Sequence, residues 1–400
     1  MKRTCFLAMI VLAGLAASSR ADSIMAHLFD YRAGGPGMDR LAVAPGPNYV
    51  LVAAPSAREI HLLRPDWDSS RFEKIDAFPP TDPTAAIPVP GRAVAVAVHP
   101  FHPLAIALSR PNDAASRGEA LFLDLRERSP GRLLRSQLVG FAPAHVAITP
   151  DGAWAIVANS GADNRRTEGS VGVFDLRNLE GWEQNRLQEI PYRELSGLAS
   201  MLGQSLSRHE PEFVAVDPLG RLAAVSVPTA DTIVWMNFDK SGPQWAGILR
   251  LPKGSGPTGM ALVNLPDNSL LLGVAEQKAQ MVSFYRVTLA GGIPAAERAA
   301  RVDIRPLVRE NRPRKDRDPH TLALLRSGSR VWAWVACART DRIVMLDVTD
   351  PSKPALLDRL LVSAPPNDLV VFQTPAGLRL LTANSDGNVT LAGVVGGADN

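Results

Sequence analysis

Cysteine is almost absent: the 400 residues hold two, Cys5 and Cys337. Cys5 lies in a segment that reads as a removable leader. The mature chain then forms no internal disulfide and no cysteine metal cluster, and its stability has to come from packing. Aromatic residues are scarce too, at 6%. Beyond residue 21 no run approaches the roughly 18 consecutive apolar residues that a membrane helix needs. Net charge of either sign is also missing once the leader is set aside. Residues 1–21 carry Lys2, Arg3 and Arg20 and no acid, so the mature chain balances 40 basic against 40 acidic side chains. The pI near 9.0 therefore belongs largely to the leader. A global basic field that would steer the protein to nucleic acid or anionic lipid is excluded.

What is present begins with an address. Lys2 and Arg3 precede an uncharged run from Thr4 to Leu15, and the stretch closes on Ser19, Arg20 and Ala21. This is the order of a secretory signal with cleavage after Ala21, giving a periplasmic or secreted protein with no membrane span after cleavage. Gly and Pro, 31 and 33 residues, are spread along the whole chain and point to many turns between short elements.

Those elements repeat. The clearest unit runs Pro-x-x-apolar-Ala-apolar-x-Pro-polar-Gly and then a second apolar run: PAHVAITPDGAWAIVAN from Pro143 and PEFVAVDPLGRLAAVSV from Pro211. Looser copies start at Pro257, Pro319 and Pro366, and two without the leading proline start at Asp39 and Val94. The anchoring residues Ala42, Ala97, Ala147, Ala215, Ala261, Ala323 and Val370 are separated by 55, 50, 68, 46, 62 and 47 residues. A period of this size marks a propeller or a solenoid. Each unit reads as an apolar strand, a tight turn, a second apolar strand, a third such as DTIVWMNF or DRIVMLDV, and a looser fourth. The expectation is an all-β, seven-bladed β-propeller over residues 22–400. Small alanines suit the inner strands, where blades converge, and Trp154, Trp332 and Trp334 on second strands suit the core between blades.

The seventh unit stops near Val395 after three strands, while SIMAHLFDY, residues 23–31, precedes the first inner strand. This segment is expected to close the ring as the outer strand of the last blade, removing an exposed edge. The long intervals hold insertions: a short amphipathic helix within about 190–208, from the spacing of Leu195, Leu198, Leu202 and Leu206, and a charged loop at about 305–318.

TPDGAWAIVANSGADN, DPLGRLAAVSVPTADTIVWMNFD, ARTDRIVMLDVTDPSKP and TANSDGNVT resemble the YVTN-type, lactonase-like propeller repeats of exported bacterial proteins. SRHEPEFVAVDPLGRLAAV is most similar to the choice-of-anchor propellers, a group with esterase-like and phytase-like members. The first two units depart from the pattern in lacking the leading proline, and no literal YVTN string occurs. The resemblance implies a fold for essentially the whole mature chain, and hydrolysis of lactone or ester bonds as one activity.

Propeller ligands usually meet the channel mouth, where inner strands begin. Three and two positions before the anchors stand Asp39, Arg40, His145, Glu212, His320, Asn367 and Asp368, a convergence of polar groups of the kind a binding site needs. His209 adds to the cluster at the entry to the fourth unit. Two readings follow. One is a monomeric binding or scaffold module that engages a protein, glycan or small ligand through the mouth and its loops. The other is a hydrolase in which Glu212 or His320 is the general base and His145 or Arg40 stabilises an oxyanion. No cofactor is evident from the sequence. A divalent cation such as calcium would find oxygen ligands in Asp39, Glu212 and Asp368. Gly254, Gly256 and Gly259 match GxGxxG but precede a strand, where a dinucleotide needs a helix N-terminus. HExxH, GxSxG, P-loop and CxxCH motifs are all absent, and Cys337 reads as a small core hydrophobe.

Overall fold

The computed structural model describes residues 24–32, 42–45, 50–66, 71–74, 86–113, 115–126, 130–161, 169–182, 184, 187–202, 209–239, 241–308, 319–374 and 377–395. Residues 1–21, expected to be a leader, Asp39, Arg40, Leu206 and residues 309–318 of the charged loop lie outside them.

The repeated units fold into seven antiparallel sheets, each of four strands along its path, forming a β-propeller. Their inner strands are Ala42–Pro45, Arg92–Val98, Pro143–Ile148, Val214–Val216, Pro257–Asn264, Pro319–Ser327 and Pro366–Thr374. Every anchoring residue found in the sequence lies in one of them. In blade 3 the order is Pro143–Ile148, Trp154–Asn159, Ser170–Asp175 and Tyr192–Glu194. Blade 1 carries an extra short strand, Ala86–Pro88, paired with Glu59–His61.

The Pro-polar-Gly signature is the turn from the inner strand to the second. In blade 3 the Thr149 amide donates to the Trp154 carbonyl (2.8 Å) and the Trp154 amide donates to Thr149 Oγ1 (3.0 Å). In blade 4, Asp217 Oδ1 accepts from the amides of Arg221 (2.6 Å) and Leu222 (2.7 Å). The chain reverses through positive φ at Gly152 (71°) and Gly220 (67°), which is why both units place glycine there.

Second strands are continuous apolar runs because both faces are covered. Trp154–Asn159, Leu222–Val227 and Leu270–Glu276 are buried at every position. The core is seven clusters, one at each junction of neighbouring blades. Trp332 and Trp334 pack between blades 6 and 7, and Trp154 between blades 3 and 4. Ala97, Ala147, Ala215, Ala261 and Ala323 face these junctions and not the axis: Ala215 of blade 4 packs with Met260 and Leu262 of blade 5. Close to the axis that gap is narrow, so a small side chain fills it. Cys337 is fully buried in the cluster between blades 5 and 6, the small-hydrophobe role expected of it.

The ring closes as the sequence predicts. Ile24–Arg32 pairs antiparallel with Asn388–Val395, from Ile24 opposite Val395 to Arg32 opposite Asn388, and becomes the outer strand of blade 7. Met25 joins the core between blades 6 and 7, and its amide donates to the Asp358 carboxylate of blade 6 (2.7 Å). The helical insertion needs correction. Among the described residues of 190–208 the helix is Leu198–Leu202, while Tyr192–Glu194 is the outer strand of blade 3. Pairing of Phe174 with Tyr192 and Val173 with Arg193 overrides the helical spacing there. Leu198 and Leu202 seat the helix on Val227 and Val234 of blade 4.

Truncating Met25 to alanine removes a buried side chain from the closing strand and should lower the unfolding free energy by about 2–5 kcal/mol. Urea unfolding of Met25→Ala measures this, and an unchanged midpoint would mean that the strand does not hold the ring.

Candidate functional site

The inner strands do not begin as plain strands. In blade 2 the register slips between Ala93 and Ala95, in blade 3 between Pro143 and His145, in blade 5 between Pro257 and Met260, in blade 6 between Pro319 and Thr321, and in blade 7 between Pro366 and Asp368. Each slip is a β-bulge at the same height, and a bulge re-aims the side chains around it. The residues at these bulges, Val94, Ala144, Thr258 with Gly259, His320 and Asn367, all line one cavity of about 70 Å³ at the channel mouth. His145, Glu212, Phe213 and Asp368 complete its polar and aromatic wall.

Five of the polar residues singled out in the sequence are thus brought together: His145, Glu212, His320, Asn367 and Asp368. Asp39 and Arg40 lie outside the described residues. His209 does not reach the cavity. It is buried beneath the entry to blade 4, where its carbonyl accepts from the Gly169 amide (2.9 Å). The chain turns at Pro211 between His209 and the cavity wall, so proximity in sequence did not translate into a shared surface.

Contacts between blades fix the mouth. Thr258 Oγ1 donates to the His320 carbonyl (2.7 Å), tying blade 5 to blade 6. Beside it Gly259 is a requirement of close approach, since a Cβ there would lie 2.4 Å from the Thr321 Cα. On the other side the Val214 amide of blade 4 donates to Nδ1 of His145 (3.4 Å), and the imidazole lies against the Phe213 ring with centroids 3.9 Å apart. Burial lowers the His145 pKa to about 4. The ring is therefore neutral at neutral pH, and with Nδ1 accepting it carries its proton on Nε2. It offers the site an uncharged N–H donor. Sequence reasoning passed over Thr258, Phe213 and Thr321 as site residues, although they occupy the same offsets from the alanine anchors as those it chose.

The glycine-rich stretch before blade 5 has a structural use. The amides of Gly254 and Gly256 donate to the two carboxylate oxygens of Asp231 (2.7 Å each). The donors that a phosphate would need are already engaged by a side chain of the chain itself.

Among the described residues, no group of three or more His, Cys, Asp or Glu is placed to hold a metal ion. None of the described helices is long and apolar enough to cross a membrane.

The model of the choice-of-anchor I domain matches residues 42–253, more than half of the chain. The chain belongs to the choice-of-anchor I family. No curated protein is a recognisable relative by sequence. Among solved structures, this choice-of-anchor I protein is similar to the periplasmic gluconolactonase of Pseudomonas aeruginosa, with 17% identity, a TM-score of 0.61, and 84% of this chain and 88% of that one covered. A putative 6-phosphogluconolactonase of Bacteroides fragilis is 14% identical, with a TM-score of 0.58 over 92% of this chain and 89% of that one. Hydrazine synthase of Kuenenia stuttgartiensis is 15% identical, with a TM-score of 0.61 over 92% and 98%. At these identities the likeness is one of fold, and the three names show how far chemistry diverges on it.

A second histidine behaves like His145. His99 is buried, its Nδ1 accepts from the amides of Phe101 (3.1 Å) and His102 (3.0 Å), and its Nε2 lies 3.1 Å from the Gly152 carbonyl. Burial and the neighbouring His102 lower its pKa to about 4. Both rings fold in the neutral form, while the unfolded chain protonates them near pH 6.5. Their stabilisation is complete above that pH and is lost as pH falls from 6.5 through about 4. Urea unfolding at neutral pH and near pH 4 should show this loss, and His145→Gln should remove part of it. An identical pH dependence in the variant would contradict the assignment for His145.

Proposed function

We propose that this protein is an exported binding module whose channel mouth takes a small, hydroxyl-rich ligand. The observation that carries the reading is the set of bulged inner strands, which turns polar side chains from separate blades onto one cavity. Glu212 and Asp368 supply carboxylates that accept from ligand hydroxyls, Asn367 both donates and accepts, and neutral His145 donates through Nε2 to a carbonyl or hydroxyl oxygen. At about 70 Å³ the cavity seats one end of a sugar-sized ligand, the rest facing the open mouth.

A second reading, lactone or ester hydrolysis, is favoured by one feature of the same site. A neutral imidazole with a pKa near 4 is a poor base at neutral pH, but it is a suitable donor to an oxygen that gains negative charge in the transition state. Glu212 or His320 would then take the proton of an attacking water. As the tetrahedral adduct collapses, the C–O bond to the ring oxygen breaks, that oxygen takes the proton held by the general base, and a hydroxy acid is released. The structural likeness to a gluconolactonase is in keeping with this chemistry. A calcium ion on Glu212 and Asp368, with Asp39 as a further oxygen ligand, is the cation that the sequence suggests for the mouth.

Calorimetric titration with glucose and with glucono-lactone, alongside continuous measurement of acid release, distinguishes these readings. Saturable binding that weakens about tenfold in Glu212→Gln and in Asp368→Asn, without turnover, is expected of the binding module. Acid release above the buffer rate, abolished in Glu212→Gln, would make it a hydrolase. Neither binding nor turnover would overturn both. Repeating the titration with calcium present shows whether the ion takes part.

Export rests on residues 1–21 acting as a cleaved signal. The intact mass of protein recovered from the periplasm or the medium should correspond to a chain beginning at Asp22, and a chain that keeps Met1 would contradict it.

A further inference from the structure

A larger cavity than the channel mouth opens on the opposite face, between blades 3 and 4, with a volume of about 290 Å³. Its position follows from register. In blade 3 the mouth end is marked by Pro143 opposite Asn159 and Asn159 opposite Ser170, and the far end by Trp154 opposite Asp175. Five residue steps of strand separate the two ends, roughly 17 Å at 3.3–3.4 Å per residue. The two cavities are therefore distinct sites. Nothing in the proposed mouth chemistry uses the second one.

Its composition is amphipathic. Trp154, Val173 and Pro191 give the apolar walls. Tyr192 turns its ring to the other side of blade 3, onto Phe174, where its hydroxyl accepts from the Gly140 amide of blade 2 (3.2 Å) and from Asn159 Nδ2 (3.4 Å). Phe238 stacks on Trp154, with centroids 6.5 Å apart, and holds the indole in place.

Two arginines line the same cavity, and they are available in different ways. The Arg177 guanidinium lies over the Trp154 ring, 4.5 Å from its centroid. Its edge is taken up by Asp175, with Nε to Oδ1 at 2.8 Å and Nη2 to Oδ2 at 2.6 Å. That leaves its outer face, on a side chain 52% exposed, as a flat cationic platform. Arg193 spends one contact, from Nη2, on the neutral Pro243 carbonyl (3.0 Å). The charge of Asp175 is matched by Arg177, so the cavity lining carries one positive charge in excess, centred on the remaining donors of Arg193.

We propose that this cleft binds an aromatic monocarboxylate, with the ring continuing the Trp154–Arg177 stack and the carboxylate on Arg193. A guanidinium fork matches a carboxylate, and a flat ring matches the open face of a guanidinium better than an aliphatic body does. The volume is at the small end of the roughly 300–1,000 Å³ usual for ligand pockets, which suits one ring and excludes a nucleotide. Ser241, exposed on the turn of blade 4, stands at the rim.

Isothermal titration of the purified protein with benzoate, and with the neutral isostere benzamide, tests the proposal. Benzoate should bind saturably at one site, with benzamide at least about tenfold weaker. Arg193→Gln, which removes the charge of an exposed side chain together with its bond to the Pro243 carbonyl, and Ser241→Trp, which fills the rim, should each weaken benzoate by a similar factor. Their thermal midpoints without ligand should match the parent, separating loss of the site from loss of the fold. Glu212→Gln at the channel mouth should leave benzoate binding unchanged. Absence of saturable benzoate binding, equal affinity for benzamide, or binding that both cleft variants preserve would each overturn the proposal. Loss of benzoate binding in Glu212→Gln would move the ligand to the mouth and overturn it equally.

Discussion

The pairing of Ile24–Arg32 with Asn388–Val395 is the constraint on which the rest of the structure depends. A blade of four strands exposes two apolar faces, and only a neighbour on each side can cover them. In an open array the first and last blades would each leave one such face in water. Closure turns six junctions into seven, the seventh being the cluster of Val50, Val52, Leu381 and Leu391 between blades 7 and 1. It also removes the edge of the last sheet, a template for pairing with other chains. The absence of disulfides is tolerable for the same reason. Every second strand is sandwiched, and hydrophobic burial is distributed evenly around the ring.

Closure also sets the chemistry of the mouth. Once seven inner strands converge, their first residues share a narrow space, and ordinary strand geometry would leave side chains directed at the neighbouring blades, as the alanines are. The bulges break that alternation at one height and supply the residues that face the cavity. Crowding then does the electrostatic work. His145, pressed against Phe213 and bonded to the amide of the next blade, is neutral because its charged form would lose hydration without gaining a partner. A neutral donor near two carboxylates is an arrangement for hydroxyl-bearing or carbonyl-bearing ligands, and it arises from the packing of blades 3 and 4.

Architecture was legible in the sequence because it is written periodically. The anchors, six alanines and Val370, mark all seven inner strands, and the missing fourth strand of the last unit pointed to residues 23–31. The offsets from those anchors also located the mouth, since every blade enters at the same point of its repeat. What the sequence concealed depends on contacts between segments far apart. The bulges have no one-letter signal, although a leading proline accompanies four of the five. His209 was misplaced because three residues of chain sufficed to turn it under the blade. Among the described residues the leucine spacing gave a helix at Leu198 and Leu202 and not at Leu195, as strand pairing claimed the residues before it. The cleft beside Trp154 joins a second strand, a loop after a third strand, an outer strand and the hairpin of the next blade. No local pattern could announce that combination.

Family membership and fold leave function to be settled by side chains, as the likeness to both a gluconolactonase and a hydrazine synthase makes plain. Here the two ends of blade 3 differ in a way that bears on that question. At the mouth, the described ionisable groups are two carboxylates and imidazoles, one of them neutral through burial, and the space is small. At the far end a guanidinium stacked on an indole sits beside a second guanidinium around a larger void. The first environment disfavours an anion and the second attracts one. A propeller carries such opposed sites without conflict because each blade is a rigid spacer between its two ends, so substitution at one end need not be transmitted to the other. Selection can then change the side chains of one face without disturbing those of the other, and the ring closure that both require stays untouched.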